Sequence, residues 1–236
     1  MKEYKNPAEL KSQARVHMFG RYGVTVRAYI WMNVILLILS WLFASMNNSG
    51  AGSLVSLIIF YAIRFIISGV FTSSLAYMYL NIGSDMPAYA SMIFYAFKNQ
   101  TDKAVLVCMV IDGLQLITCL PLIVAYMLYK NTPQTAFIVM MAAGVLIAII
   151  GILYITVLFL PAYYLIHDFP DRGFTEILSL CPKIMKGHMS KAAMLYLSFI
   201  PLFLVEIISL GAAAPWVDSY LNASVCELYL DIMRRS

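Results

Sequence analysis

The feature that most constrains this chain is a succession of apolar runs, each long enough to cross a lipid bilayer. A spanning helix needs about 20 mostly apolar residues to cover about 30 Å of hydrocarbon. Residues 24–46, 54–80, 104–129 and 136–166 meet that requirement, with Arg64 interrupting the second run and Asp112 lying in the third. The fourth run is the longest and is expected to tilt or to project beyond the bilayer. A fifth begins at Ala192 and continues through Glu206 to Leu210. The last segment, 212–233, is ambiguous, because Asp218, Glu227 and Asp231 make it either a polar sixth span or an interfacial helix. With 62% hydrophobic and 12% charged residues, most of the chain is suited to lipid and not to water.

Charge bias orients these runs, since short cytoplasmic loops are enriched in Lys and Arg. Lys2, Lys5, Lys11, Arg15, Arg21 and Arg27 precede or open the first run, Lys98 and Lys103 precede the third, and Arg172, Lys183, Lys186 and Lys191 precede the fifth. Connection 47–53 has no basic residue and connection 130–135 has one. Both termini and the even-numbered loops are therefore expected in the cytoplasm. Arg234 and Arg235 belong on that side too, which requires a sixth crossing. The polar, basic stretch 1–23 has no short apolar core and no small-residue cleavage site, so it does not read as a signal peptide. The net charge of +4 sits between apolar runs with no aromatic-interleaved basic patch, which argues against nucleic acid as a partner.

Punctuation repeats along the chain. Asn6 and Pro7 lead to Gly20, Asp85 and Pro87 lead to Asn99, and Asp168 and Pro170 lead to Gly187. Proline suits a first helical turn, and Gly or Asn tolerates the left-handed conformation that ends a helix. The expected fold is an all-α membrane protein, a single transmembrane domain over 1–236. Its six helices form three hairpins, each preceded by a short cytoplasmic amphipathic helix, with internal repeats at 6–83, 84–167 and 168–236. The third short helix has the clearest pattern, with Phe174, Ile177, Leu178 and Cys181 at helical spacing.

Ionisable residues in hydrocarbon are costly and mark functional positions. Arg64 and Asp112 fall roughly level near the midplane by helical rise, and Glu206 lies further toward the outer face. With Asp218 they form a candidate intramembrane polar centre, in which Arg64 pairs with Asp112 or Glu206. Such a pair serves either as a lock between helices or as a polar path for solute or protons. His17, His167 and His188 share no metal-ligand spacing, and no catalytic motif is present, so no metal, cofactor or enzymatic activity is expected. Cys108, Cys119, Cys181 and Cys226 read as free, inert thiols. Gly144 with Ala148, and Ser68 with Thr72, are small-residue pairs suited to close helix packing. Tyrosines and tryptophans near the span ends, among them Tyr163, Tyr164, Trp216 and Tyr220, read as interfacial belts and not as a ligand cage.

Asp168, Phe169, Pro170, then Glu176, Ile177, then Met185, Lys186, Gly187, His188, then Leu197, Ser198, Phe199, Ile200, then Leu210, Gly211, Trp216 and Tyr220 carry a likeness. In these residues the chain resembles the bacterial membrane family catalogued as domain of unknown function 975. The likeness is strongest over 163–229 and weaker over 10–23. Where the family tends to have Trp after the Ser-Phe-Ile run, this chain has Pro201 and Leu202, which puts the local helix shape in question. The resemblance implies a bacterial plasma membrane location and an unassigned activity, with no catalytic residues to carry over.

The leading functional expectation is a non-enzymatic membrane protein that binds membrane lipids, or a membrane-protein or cytoplasmic partner, through its three cytoplasmic helices. The alternative is a transporter or export component that uses the polar centre.

Overall fold

The computed structural model describes residues 5–46, 54–131 and 134–235, and all regular structure among them is helical. Among the described residues, five stretches are long and apolar enough to cross a membrane: Tyr22–Ser45, Val55–Gly83, Thr101–Asn131, Thr135–Asp168 and Met189–Ile208. Connection 47–53 and residues 132–133 of the third connection lie outside the described residues.

Helix α1, Pro7–Met18, starts with proline in its first turn, and the Glu9 carboxylate accepts the free Asn6 N–H at 3.0 Å. It ends before Gly20, which takes φ +74 as its punctuation predicts. Leu10, Ala14 and Met18 fall on one face at a spacing of four and are fully buried, chiefly against the C-terminal helix. Burying a side chain the size of Leu or Met contributes roughly 1.5–3 kcal/mol.

Helices α2, Tyr22–Met46, and α3, Leu54–Gly83, pack together, with Phe43 and Phe60 stacked at 4.0 Å. The second short polar element is less regular than the sequence suggests. It is a 3-10 turn, Ala90–Phe94, followed by a single helical turn α4, Tyr95–Lys98. The left-handed residue after it is Gln100 (φ +59), while Asn99 is extended.

Helices α5, Thr101–Asn131, and α6, Thr135–Leu158, form the most extensively packed pair. Small residues allow the close approach: a Cβ on Gly144 would lie 2.9 Å from the Leu122 backbone, and Ala148 beside it is buried. Ser68 and Thr72 instead bond back to carbonyls of their own helix, and Gly69 makes the close contact of α3 with Cys108.

Two expected continuous spans are broken, both at proline. The fourth stops at Leu158 and resumes as α7, Ala162–Asp168, because Pro161 has no N–H to donate and its ring crowds the carbonyl four residues back. The fifth divides into α9, Met189–Leu197, and α10, Ile200–Ile208, at Pro201. There the Leu202 N–H turns to Phe199, and the Ser198 carbonyl accepts the Lys11 ammonium at 2.8 Å. Helix α8, Phe174–Met185, buries Ile177, Cys181 and Met185 and hands over to α9 through Gly187 (φ +85).

The segment left ambiguous by composition is a single helix, α11, Ala214–Met233, and it is the most enclosed of all. Every residue from 223 to 229 is buried, and α1, α2, α3 and α9 pack around it. Its acids survive burial because each is partnered. Asp218 accepts the Tyr29 hydroxyl, Glu227 meets His17 Nδ1 at 2.5 Å, and Asp231 accepts the Lys5 backbone N–H and pairs with Arg235 at 3.0 Å. The Lys5–Asp231 contact brings the two ends of the chain together.

Candidate functional site

The site begins with α11. Pro215 starts the helix, and one turn later Asp218 and then Asn222 project toward α2 and α3. Between these helices lies a cavity of about 400 Å³. Tyr29 comes from α2, Thr72, Ala76 and Tyr79 from α3, and Gln115 from α5. Thr156 near the end of α6, Phe159 just after it, Tyr163 and Tyr164 on α7, and Tyr196 on α9 complete the polar and aromatic lining. The proline break after α6 turns α7, with Tyr163 and Tyr164, onto this wall.

The lining is internally braced. The Tyr29 hydroxyl donates to Asp218, the Asn222 amide to the Asp218 carbonyl at 2.9 Å, and the Gln115 amide to the Thr156 hydroxyl at 3.1 Å. Tyr164 stacks on Tyr229 at 4.9 Å, and the Tyr229 hydroxyl donates to Asp168 at 2.5 Å. Tyr79 is fully buried and neighbours Ser219, yet the two hydroxyls make no hydrogen bond of ordinary geometry with each other or with other groups. Polar, convergent groups in an otherwise apolar hollow are the usual composition of a small-molecule site.

The predicted polar centre is only partly assembled. Asp218 lines the cavity, and Glu206 lies within electrostatic reach of Asp218 and Tyr29. Asp112 accepts the Cys108 thiol at 3.1 Å and sits beside Tyr163, behind the cavity wall. Arg64 stands apart. It is exposed on α3 and donates to the Ser40 hydroxyl of α2 at 2.7 Å, and its expected pairing with Asp112 or Glu206 is not formed. The helical rise placed Arg64 and Asp112 at similar depth but carried no information about which faces meet. The belt reading of the tyrosines also needs correcting, because Tyr163 and Tyr164 face the cavity interior with Tyr29, Tyr79 and Tyr196.

The motif residues 168–170 and 185–188 do not line the cavity. Asp168 anchors Tyr229, the Pro170 carbonyl accepts Lys103, Met185 is buried in the core, and Lys186 is exposed. Gly187 supplies the left-handed turn, and His188 stands at the start of α9. Burial, aided by the nearby Lys191, holds the His188 imidazole below its ordinary value. Burial pushes the Cys181 thiol up to about 12, which keeps it unreactive. All four cysteines are free, and no cluster of three potential metal ligands occurs among the described residues.

The family model with the description "Protein of unknown function (DUF975)" matches residues 1–236. The chain belongs to the DUF975 family. No curated protein and no solved structure matches it. In this DUF975 protein the family match thus extends over the whole bundle, including α2, α3 and α5, where the quoted motif residues do not reach.

Proposed function

We propose that this DUF975 protein is a six-span, non-enzymatic protein of the bacterial plasma membrane, with both termini in the cytoplasm, that binds a small molecule in the tyrosine-lined cavity. The cavity carries the reading: it gathers Tyr29, Tyr79, Tyr163, Tyr164, Tyr196, Gln115, Asn222 and Asp218 from helices far apart in sequence. Six crossings are supported by the Lys5–Asp231 contact, since five would leave the chain ends on opposite faces of the bilayer. At 20 residues α11 is about 30 Å long, enough to cross, and its polar side chains are shielded from lipid by the helices around it. The packing of α2 on α3, α5 on α6 and α10 on α11 fits three hairpins.

Docking of a partner through the short polar helices has less support. Leu10, Ala14 and Met18 of α1 and Ile177, Cys181 and Met185 of α8 are turned into the bundle, which leaves Val16 and Phe19 as the exposed apolar residues at the end of α1. Lipid contact instead falls to the exposed apolar surfaces of α5 and α6.

Native mass spectrometry of protein released from its own membranes in mild detergent tests the reading. The wild type is expected to carry a bound small molecule, and Ala76→Phe, which fills the cavity, is expected to lose it while keeping its helical spectrum. A wild type without adduct, or a variant that retains it, removes the proposal.

A further inference from the structure

We infer that the ligand of this cavity is an organic monocation with an apolar or aromatic body, its charge set against Asp218 and its body against the tyrosine rings. The inference rests on the cavity being a binding site, and it concerns what chemistry that site accepts.

The charge of the lining is one-sided. Asp218 is its only formally charged member, and no Lys, Arg or His lines it. Glu206 adds a second acid within electrostatic reach. Arg64 is engaged with Ser40, and Lys11 with the Ser198 carbonyl and the Phe199 ring. The field inside the hollow is therefore negative, and in a low-dielectric bundle it is weakly screened. An anionic ligand would meet like charge with nothing to offset its desolvation.

The walls select the cation further. Five tyrosine rings line the space, and the π-face of an aromatic ring attracts a cation, more strongly when water is excluded. Magnesium and calcium take six or more oxygen ligands, whereas this site offers one carboxylate and scattered hydroxyls and amides among rings and apolar side chains. A bulky ammonium or guanidinium with an apolar body matches both the charge and the surface. The volume of about 400 Å³ fits such a molecule and lies within the range of small-ligand pockets. The Tyr29 hydroxyl donates to Asp218, which fixes the direction of the carboxylate. A carboxylate held this way in the interior gains most from a counter-charge arriving with the ligand.

Three probes of one shape separate the possibilities: benzyltrimethylammonium, its neutral carbon analogue neopentylbenzene, and the anion benzylsulfonate. Each is titrated at matched concentration against the full chain in nanodiscs, with binding read by calorimetry and by the shift in melting temperature. The cation is expected to bind and to stabilise, and the anion is expected to do neither. Asp218→Asn should weaken the cation at least about tenfold, a factor equal to 1.4 kcal/mol, and leave the neutral probe unchanged. If Asp218→Asn does not fold, Tyr196→Leu leaves the Tyr29–Asp218 bond in place and should weaken the cation several-fold. Equal binding of the neutral and cationic probes, both lost in Ala76→Phe, overturns the cation and leaves the cavity as a binding site. Equal cation affinity in wild type and Asp218→Asn also overturns it. Binding of no probe overturns it as well, and coupled with the absence of a native adduct removes the cavity reading too.

Discussion

The two ends of the bundle are built on opposite principles. At the end that holds both chain termini, α1, α4 and α8 close over the second half of α3, α7 and α11, and side chains such as Met78, Ile82, Leu165 and Tyr229 are sealed from any solvent. Toward the far end, α10 has no buried residue and Val139 at the start of α6 stands open, as do Leu116 and Leu146 midway along α5 and α6. In water such a surface would aggregate, whereas in lipid it is ordinary. The compact end resembles a soluble core, with partnered charges and mixed polarity. The far half is held mainly by shape, with glycine set against backbone, and by the Arg64–Ser40 hydrogen bond and the Phe43–Phe60 stack between α2 and α3.

The largest effect that would sharpen this contrast comes from the compact end. His17→Ala strands Glu227, which is 4% exposed, and is expected to cost roughly 3–5 kcal/mol, read as a fall in melting temperature in detergent. The joint His17→Leu, Glu227→Leu replacement should recover a large part of it, and a double variant no better than the single one breaks the pairing. Midway along α6, Leu146→Arg places a charge on the open surface, at a cost of about 2.5–3.5 kcal/mol in membrane insertion. Insertion assays showing no loss would mean that surface does not face lipid. Gly144→Ala, which drives a methyl group against the Leu122 backbone, should destabilise by roughly 1–3 kcal/mol, and an unchanged melting temperature would show that α5 and α6 part easily.

The smallest effect concerns pH. Because His188 is held below its ordinary value near 6.5, the unfolded chain binds that proton first. The stability from keeping it neutral is complete above about pH 6.5 and falls as the pH drops below it, levelling off beneath the folded-state value. Melting curves between neutral and mildly acidic pH should show this slope, and His188→Gln should flatten it.

Much of this was legible in the sequence. The five apolar stretches follow from run length alone, and Gly20 and Gly187 take their left-handed turns as the punctuation indicates. Pro201 divides the fifth span in two. What escaped was anything that depends on rotation about a helix axis. Helical rise gives a depth for Arg64 and Asp112, but periodicity in a run apolar on every side does not say which face meets which neighbour. The tyrosines near the span ends satisfied a belt pattern, and only the break at Pro161 turns Tyr163 and Tyr164 inward. Asp218 was legible as a costly residue, while Tyr29, Gln115 and Asn222 carried no signal, because the site forms only when α2, α5 and α11 come together.

The account stands or falls on whether the tyrosine-lined hollow holds a ligand. A high-resolution map of the protein purified from its native membranes into nanodiscs measures this directly. The prediction is non-protein density enclosed between Tyr29, Gln115, Tyr196 and Asp218, in contact with the Asp218 carboxylate. Side chains that meet across that space and close it, or a hollow filled only with ordered water, would contradict it.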